Sequence, residues 1–178
     1  VEIPAFGNDR YFTVNFFDMY SNATNISSRT VGGEAGRFLI CTTDWDGEVP
    51  EGARKFTVST QYQWILMRIF TTGTPDDLEI ARALQDQVLL KPTADPSDAS
   101  FTPASPDTVQ SDWIEFYTSI DTVLRTNGHP VQDDALLFQL RAVGIGDPET
   151  PFDADALDEP TARAFSDSFT EGLAMLKA

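Results

Sequence analysis

The first 70 residues alternate hydrophobic and polar positions with the two-residue period of β-strands. The clearest run is residues 11–20, YFTVNFFDMY, and similar runs rich in β-branched and aromatic residues occupy residues 1–3, 36–42 and 56–70. Gly7-Asn8-Asp9 has the composition of a hairpin turn between the first two runs. Short turns between strands favour antiparallel pairing in a sandwich or an open barrel.

From about residue 76 onward, apolar residues recur at the spacing of amphipathic helices. Asp76 or Asp77 can cap a first helix, and Ser105-Pro-Asp107 opens a second one that ends at Asn127-Gly128. Two more helices are predicted at residues 132–143 and 160–176. These patterns predict one domain over residues 1–178, with residues 1–75 mainly β-structure and residues 76–178 mainly helical, interrupted by a Pro-rich loop at 91–106.

Asp18 is the unusual residue of the first long strand, because it shares a face with the large apolar side chains of that run. An ionised carboxylate in such a place needs a partner. If residues 56–70 form one strand, Arg68 is embedded among aromatic residues in the same way, and a bidentate pair with Asp18 satisfies both groups. Arg29 or Arg37 could replace Arg68 in this pair.

Two interpretations of the Asp18–Arg68 pair remain open. The favoured one is a structural ion pair inside a sandwich, because buried charges also occur in purely structural networks. The other is the polar floor of a small-ligand pocket. The aromatic walls of that pocket would be Tyr11, Tyr20, Tyr62 and Trp64.

The charge balance excludes two classes of partner. The chain carries 12 basic and 28 acidic residues, which gives a net charge of −16. Phosphate backbones and anionic membrane surfaces repel such a chain, so we expect no binding to nucleic acid. No stretch reaches the roughly 18 to 20 apolar residues of a membrane span, so none is predicted.

Few residues are suited to catalysis. His129 is the single histidine, which excludes histidine triads and multi-histidine metal sites, and we expect it to interact with the helix end that precedes it. Cys41, the single cysteine, lies in a strand-like run and is predicted to be a buried structural thiol. No Walker loop, dinucleotide fingerprint, serine elbow or zinc spacing is present. We therefore predict no catalytic residue, no metal site and no cofactor.

The order of several short motifs resembles a known family. The motifs are Asp9-Arg-Tyr11, Asp18-Met-Tyr20-Ser-Asn22, Ser28-Arg-Thr-Val-Gly-Gly33, Trp45-Asp-Gly47, Arg68, Asp76-Asp-Leu78 and Gln85. Over about residues 1–160 they resemble the bacterial family called domain of unknown function 1254. The positions within these motifs at which we expect any function are Tyr11, Asp18, Tyr20, Asn22, Arg29 and Arg68.

The resemblance implies an α+β fold with an N-terminal antiparallel β-sandwich, jelly-roll-like, and helices in the C-terminal half. It also implies export from the bacterial cytoplasm, for example to the periplasm, and a second β domain, the domain of unknown function 1214. Because the chain runs from Val1 to Ala178 without that second domain, we expect a fragment or a short variant. The family has no established reaction, so the resemblance implies no catalytic residues.

Two functions follow from the sequence. The favoured one is a non-enzymatic structural or interaction module that forms a homo-oligomer or binds a partner β domain. The alternative is a small-ligand-binding or hydrolytic domain that uses Asp18 and Arg68. Its ligand-binding residues would be Tyr11, Asp18, Tyr20, Asn22, Arg29, Tyr62, Trp64 and Arg68.

Overall fold

A computed structural model describes residues 1–7, 9–93 and 105–177 of the chain. The chain divides into two compact units, residues 1–98 and residues 99–178. The described part of the first unit holds six strands and two α-helices, and that of the second unit holds four α-helices and two short 3-10 helices. The predicted α+β class is confirmed, whereas a single domain over residues 1–178 stays a prediction. Most of the predicted Pro-rich loop, residues 94–104, lies outside the described residues.

The strands of the first unit form two three-stranded sheets, and neither sheet is closed. In the first sheet the order is β1-β4-β5, and in the second it is β3-β2-β6. The strands are β1 Glu2–Ile3, β2 Phe12–Phe17, β3 Ala23–Ser27, β4 Gly36–Thr42, β5 Ala53–Val58 and β6 Trp64–Ile69. The helices of this unit are α1 Ser28–Val31 and α2 Pro75–Gln85.

The strand pairing differs from the prediction at two points. Strand β1 pairs with β4 and not with β2, so these two strands do not form the predicted hairpin, and Asn8 of the predicted turn lies outside the described residues. Strands β4 and β5 run parallel, because residues 43–52 carry the chain back along the sheet before β5 begins. The other pairings, β1 with β4 and β2 with both β3 and β6, are antiparallel.

Residues 56–70 form parts of two strands in two different sheets. The turn at residues 59–63 separates β5 from β6. Strand β3 was missed in the sequence because its residues, ATNIS, are mostly polar and only Ile26 contributes a large apolar side chain. It is held in place by a five-residue ladder with β2.

The core of the first unit lies under the even-numbered face of β2, as predicted for Phe12, Val14 and Phe16. These three side chains are at most 2% exposed. The buried side chains that complete the cluster are Ile3, Phe6, Ile26, Phe38 and Val58, contributed by both sheets and by the β1–β2 connection. Burial of each large apolar side chain contributes about 1.5–3 kcal/mol, so this cluster is the main source of the unit's stability.

The second unit contains α3 Pro106–Val109, α4 Trp113–Asn127, α5 Asp134–Ala142 and α6 Glu159–Lys177. The predicted second helix is interrupted after α3, and α4 has its own N-cap, since the Asp112 side chain accepts hydrogen bonds from the amides of Ile114 and Glu115. Helices α5 and α6 follow the predicted ranges closely. Ile145, Phe152 and Phe165 form the core of this unit, with Trp113 and Tyr117 packed against it.

Asp121 is a buried carboxylate in the middle of α4. It accepts hydrogen bonds from the amides of Gly146 at 2.7 Å and Phe152 at 3.1 Å, and Arg125 lies 3.8 Å away. These bonds fasten the connection between α5 and α6 to α4, so Asp121 has a structural role that the sequence did not reveal.

A close backbone contact joins the β1–β2 connection to the segment before β4. The carbonyl oxygen of Gly33 accepts hydrogen bonds from the amides of Phe6 and Gly7 at 2.8 and 3.0 Å. A Cβ atom on Gly33 would lie 2.1 Å from the carbonyl oxygen of Gly7. No side chain fits at this position without moving the backbone.

We expect Gly33→Ala to lower the free energy of unfolding by about 2 kcal/mol or more, because the new methyl group clashes with the backbone carbonyl of Gly7. Gly172→Ala is the matched control, since open space surrounds that position in α6. The control should raise stability by roughly 0.5–1 kcal/mol through its better helix propensity. Urea unfolding followed by circular dichroism measures both, and a Gly33→Ala value within about 0.5 kcal/mol of the wild type contradicts the steric argument.

Candidate functional site

Asp18 lies directly after β2, and only 7% of its surface is exposed. Its Oδ1 accepts hydrogen bonds from the amides of Tyr20 at 2.9 Å and Asn22 at 2.8 Å. Its Oδ2 accepts bonds from the Asn22 side-chain amide at 3.0 Å and from the Ser59 hydroxyl at 2.7 Å. Ser21, with a φ of 64°, adopts the left-handed conformation that brings these donors around the carboxylate.

The hydrogen bonds keep Asp18 ionised. Burial acts to raise its pKa, but the bonds from the side chains of Asn22 and Ser59 and from two backbone amides outweigh burial and lower the pKa below its usual value. The carboxylate is therefore a structural anion that closes the turn at residues 18–22.

Asp18 does not pair with Arg68, so the predicted ion pair is wrong. Arg68 lies opposite Thr13 in β2, five residues before Asp18, which corresponds to about 17 Å along the strand. The turn at residues 59–63 explains the error, because it changes which residues face the core. Met67 and Ile69 pack against the core, and the exposed Arg68 lies on the other face of the sheet.

The other predicted site residues are spread over the first unit. The guanidinium of Arg29 lies 5.8 Å from the centroid of the Tyr11 ring, and both side chains are exposed. Trp64 packs on Phe17 with their ring centroids 5.4 Å apart, yet 68% of Trp64 is exposed. Tyr20 and Asn22 belong to the Asp18 turn. The structure thus brings Asp18, Tyr20 and Asn22 together, and separately Tyr11 and Arg29, but no single pocket contains all of the predicted residues.

Tyr62 lines a cleft between the two sheets with a volume of about 530 Å³. Its walls include Phe16 and Ile65 from one sheet and Cys41 and Val58 from the other, and Trp45 also lines the cleft. Cys41 is buried, as predicted. Asp18 and Arg68 do not line this cleft, and its polar side chains include Tyr62, the neighbouring glutamines and two threonines.

Sequence reasoning missed an ion pair between Arg10 and Asp77 that joins the β1–β2 connection to the first turn of α2. Asp77 also accepts hydrogen bonds from the Thr72 amide at 2.6 Å and the Thr71 hydroxyl at 2.9 Å. Chiefly because of Arg10, and then because of these donors, the pKa of Asp77 lies well below its usual range. Arg10 also donates to the carbonyl of Phe70 at 2.7 Å. The signal available in the sequence was the pair Asp76-Asp77 at a helix start, but helix capping alone explained it.

His129 contacts the helix that follows it, whereas its interaction with the end of α4 stays a prediction. Its Nε2 lies 2.8 Å from the carboxylate of Asp134 at the beginning of α5. Within residues 1–7, 9–93 and 105–177, no group of three or more His, Cys, Asp or Glu side chains is placed to hold a metal ion. No helix in these ranges has the length and hydropathy needed to cross a membrane.

The model of the family described as "Protein of unknown function (DUF1254)" matches residues 1–92. This chain belongs to the DUF1254 family. The matched region contains both the Asp18 turn and the Arg10–Asp77 pair, and it is shorter than the predicted resemblance over about residues 1–160.

Among solved structures, the chain is similar to the VPA0106 protein from Vibrio parahaemolyticus, with a TM-score of 0.64 and 20% sequence identity. The match covers 98% of this chain and 44% of the Vibrio chain, so this chain spans less than half the length of that neighbour. At this level of identity the likeness concerns the fold. A search of curated proteins finds no match.

We expect Asp18→Asn to lower the free energy of unfolding by about 1.5–3 kcal/mol at about pH 7, because the amide cannot accept all of the bonds that the carboxylate accepts. The folded-state pKa of Asp18 is below its unfolded value of about 3.9. Ionised Asp18 therefore stabilises the fold above that value, and the contribution is lost as the pH falls through the folded pKa. Urea unfolding from about pH 7 down to about pH 2 should show the difference between wild type and variant shrinking below about pH 4.

Arg68→Ala is the control for this experiment. Because Arg68 is exposed and lies far from Asp18, we expect it to change stability by less than about 0.5 kcal/mol at any pH. Equal losses for Asp18→Asn and Arg68→Ala, with the same pH dependence, would show that the two residues are coupled after all.

Proposed function

We propose that this DUF1254 chain is a non-enzymatic interaction module that associates with another polypeptide through exposed apolar surface of its strand-rich unit. The observation that carries the proposal is the surface along β6. Trp64 is 68% exposed and Phe70, directly after the strand, is 54% exposed. The two rings lie at the two ends of the apolar strand β6, and exposed large aromatic residues are typical of interaction surfaces.

The acidic groups of the unit support a structural role over a catalytic one. The carboxylate of Asp18 receives four hydrogen bonds from its own turn and from Ser59, and Asp77 is occupied by Arg10 and two threonines. Their lowered pKa values hold them ionised at neutral pH, which suits an acceptor that fixes backbone and not a general acid.

The helical unit offers further apolar surface. Phe138 and Leu136 on α5 are 77% and 56% exposed, and Val143 at the end of that helix is about half exposed. Next to them lies a groove of about 460 Å³ with Tyr117, Leu140 and Phe165 among its lining residues. Both units therefore have apolar area available for association.

We expect the purified chain at high concentration to scatter light with a mass above the 19.6 kDa of one chain, and the dissociated chain at low concentration to bind the apolar dye 1-anilinonaphthalene-8-sulfonate. Trp64→Ser should lower both the mass and the dye fluorescence, because it removes the most exposed aromatic side chain of the β6 surface. Val131→Ser is the control, since Val131 is an exposed apolar residue of the second unit and does not belong to the β6 surface.

Cooperative thermal unfolding must be retained in each variant, so that dye binding reports the native surface. A chain that stays at the mass of one copy and binds no dye contradicts the proposed function. A chain that stays single but binds the dye at Trp64 supports association with a different polypeptide.

The cleft between the sheets favours a second function, binding of a small neutral ligand. Trp45 and Tyr62 provide aromatic walls, and Gln61 and Gln63 provide amide groups, while the lining contains one cysteine and no acidic or basic side chain. This lining suits a neutral aromatic compound with a carbonyl or amide group, and it offers no general base for hydrolysis.

We expect benzamide, as a probe, to shift the amide resonances of cleft residues in a saturable way during a nuclear magnetic resonance titration. Tyr62→Ala should weaken this binding because it removes one wall, whereas Tyr11→Ala should leave it unchanged because Tyr11 does not line the cleft. Shifts that do not saturate, or that are equal in both variants, would count against a ligand site between the sheets.

A further inference from the structure

We propose that the polypeptide bound by β6 is a second copy of this chain, added as an antiparallel strand to form a two-fold symmetric dimer with a continuous six-stranded sheet. This inference rests on the proposed function, because it identifies the partner of the same surface. Three features of the strand-rich unit support it: the backbone of β6, the other sheet edges and the register that two copies of β6 can adopt.

The free backbone groups of β6 are set by its pairing with β2. Strand β6 is the last strand of its sheet, and the amide of Phe70 donates to the carbonyl of Tyr11 at 2.8 Å. In an antiparallel ladder, hydrogen-bonded residue pairs alternate with pairs that are not hydrogen-bonded. Because Phe70 is bonded to Tyr11, the other even-numbered residues of β6 are also the ones that bond to β2. Ile65, Met67 and Ile69 therefore direct their N–H and C=O groups away from the sheet. Three residues with outward groups form a template for another strand.

Among the described sheet edges, β6 has the weakest protection against such pairing. Strand β1 has only two residues, and β5 carries Arg54 and Lys55. Strand β3 is mostly polar. Strand β6, with the sequence WILMRI, has five large apolar residues and no proline. Charged residues, short length and proline are the usual protections of an edge, and β6 has Arg68 alone.

Hydrogen bonding restricts the register of two antiparallel β6 strands. Residues with outward groups must face each other, so odd-numbered residues pair with odd-numbered residues. A register centred on Arg68 brings two guanidinium groups together, which is unfavourable. A register centred on Met67 pairs Ile65 with the partner's Ile69 and Met67 with the partner's Met67. In this register every outward N–H and C=O group of β6 has a hydrogen-bond partner.

The register centred on Met67 also explains the exposed aromatic residues. It places Trp64 opposite Phe70 of the partner subunit at both ends of the paired strands, so the two exposed rings cover each other. Leu66 comes opposite Arg68 of the partner subunit, along its aliphatic stem. Although the chain has a net charge of −16, β6 contains no acidic residue, so no carboxylates of the two paired strands repel each other.

Charge substitutions on the outer face of β6 test both the dimer and its register. Leu66→Arg places two positive charges opposite each other at two symmetric positions and should weaken the dimer about tenfold. Leu66→Glu, the matched control, faces Arg68 of the partner subunit and should keep or strengthen it. Combining Leu66→Arg with Arg68→Glu restores opposite charges and should return the affinity to the wild-type range.

Sedimentation equilibrium of the full chain measures these dissociation constants at low ionic strength, and circular dichroism verifies that each variant folds. The predicted order, with rescue by the double substitution, supports the inference. A dimer whose affinity does not respond to Leu66→Arg, or that is not rescued, overturns the β6 pairing but leaves the proposed association intact. A chain that is monomeric at every concentration overturns the second copy as the partner, and the dye experiment then decides the proposed function separately.

Discussion

The turn that surrounds the Asp18 carboxylate is the constraint on which the strand-rich unit depends. A buried anion costs several kcal/mol unless donors replace the water that it loses. Here the chain supplies them locally, because the left-handed Ser21 folds Tyr20 and Asn22 back onto the carboxylate. Ser59 adds a donor from the residue after β5, so the same anion connects the end of one sheet to the other sheet. The fold can therefore bury the aromatic face of β2 up to the end of the strand.

Two other aspartates bind irregular segments of the chain in the same way. Asp77 fixes the start of α2 to the β1–β2 connection, and Asp121 fixes the α5–α6 connection to α4. In each case an aspartate accepts backbone or hydroxyl donors from a segment without regular structure. Such segments have amides that no ladder or helix satisfies, and a short carboxylate reaches two of them at once. Part of the acidic composition of this DUF1254 chain thus has a structural use.

Local sequence patterns predicted most helices and strands well. They could not predict strand pairing or contacts between residues that are distant in the chain. The alternation in residues 11–20 identified the buried face of β2 because side-chain direction in a strand is a local property. The Asp18–Arg68 pair failed because it required alternation to continue through residues 59–63, where a turn intervenes. Strand β3 was missed because its composition is not typical of a strand. Its pairing with β2 makes it one. Asp121 could not be distinguished from a solvated helix residue, because its partners belong to a distant loop.

The position of β1 in the first sheet has a consequence for the order in which the unit forms. Glu2 pairs with Arg37 in β4, and its backbone amide and carbonyl are bonded to Leu89, beyond α2. During synthesis, β1 is made before β4 and long before Leu89, so it must wait for nearly the whole unit before its partners exist. Contacts between residues so distant in the chain slow folding, because loop entropy is lost before the contact forms. Strand β1 therefore pairs late, so a chaperone that shields the nascent unit has to cover β1 for longer than the other strands.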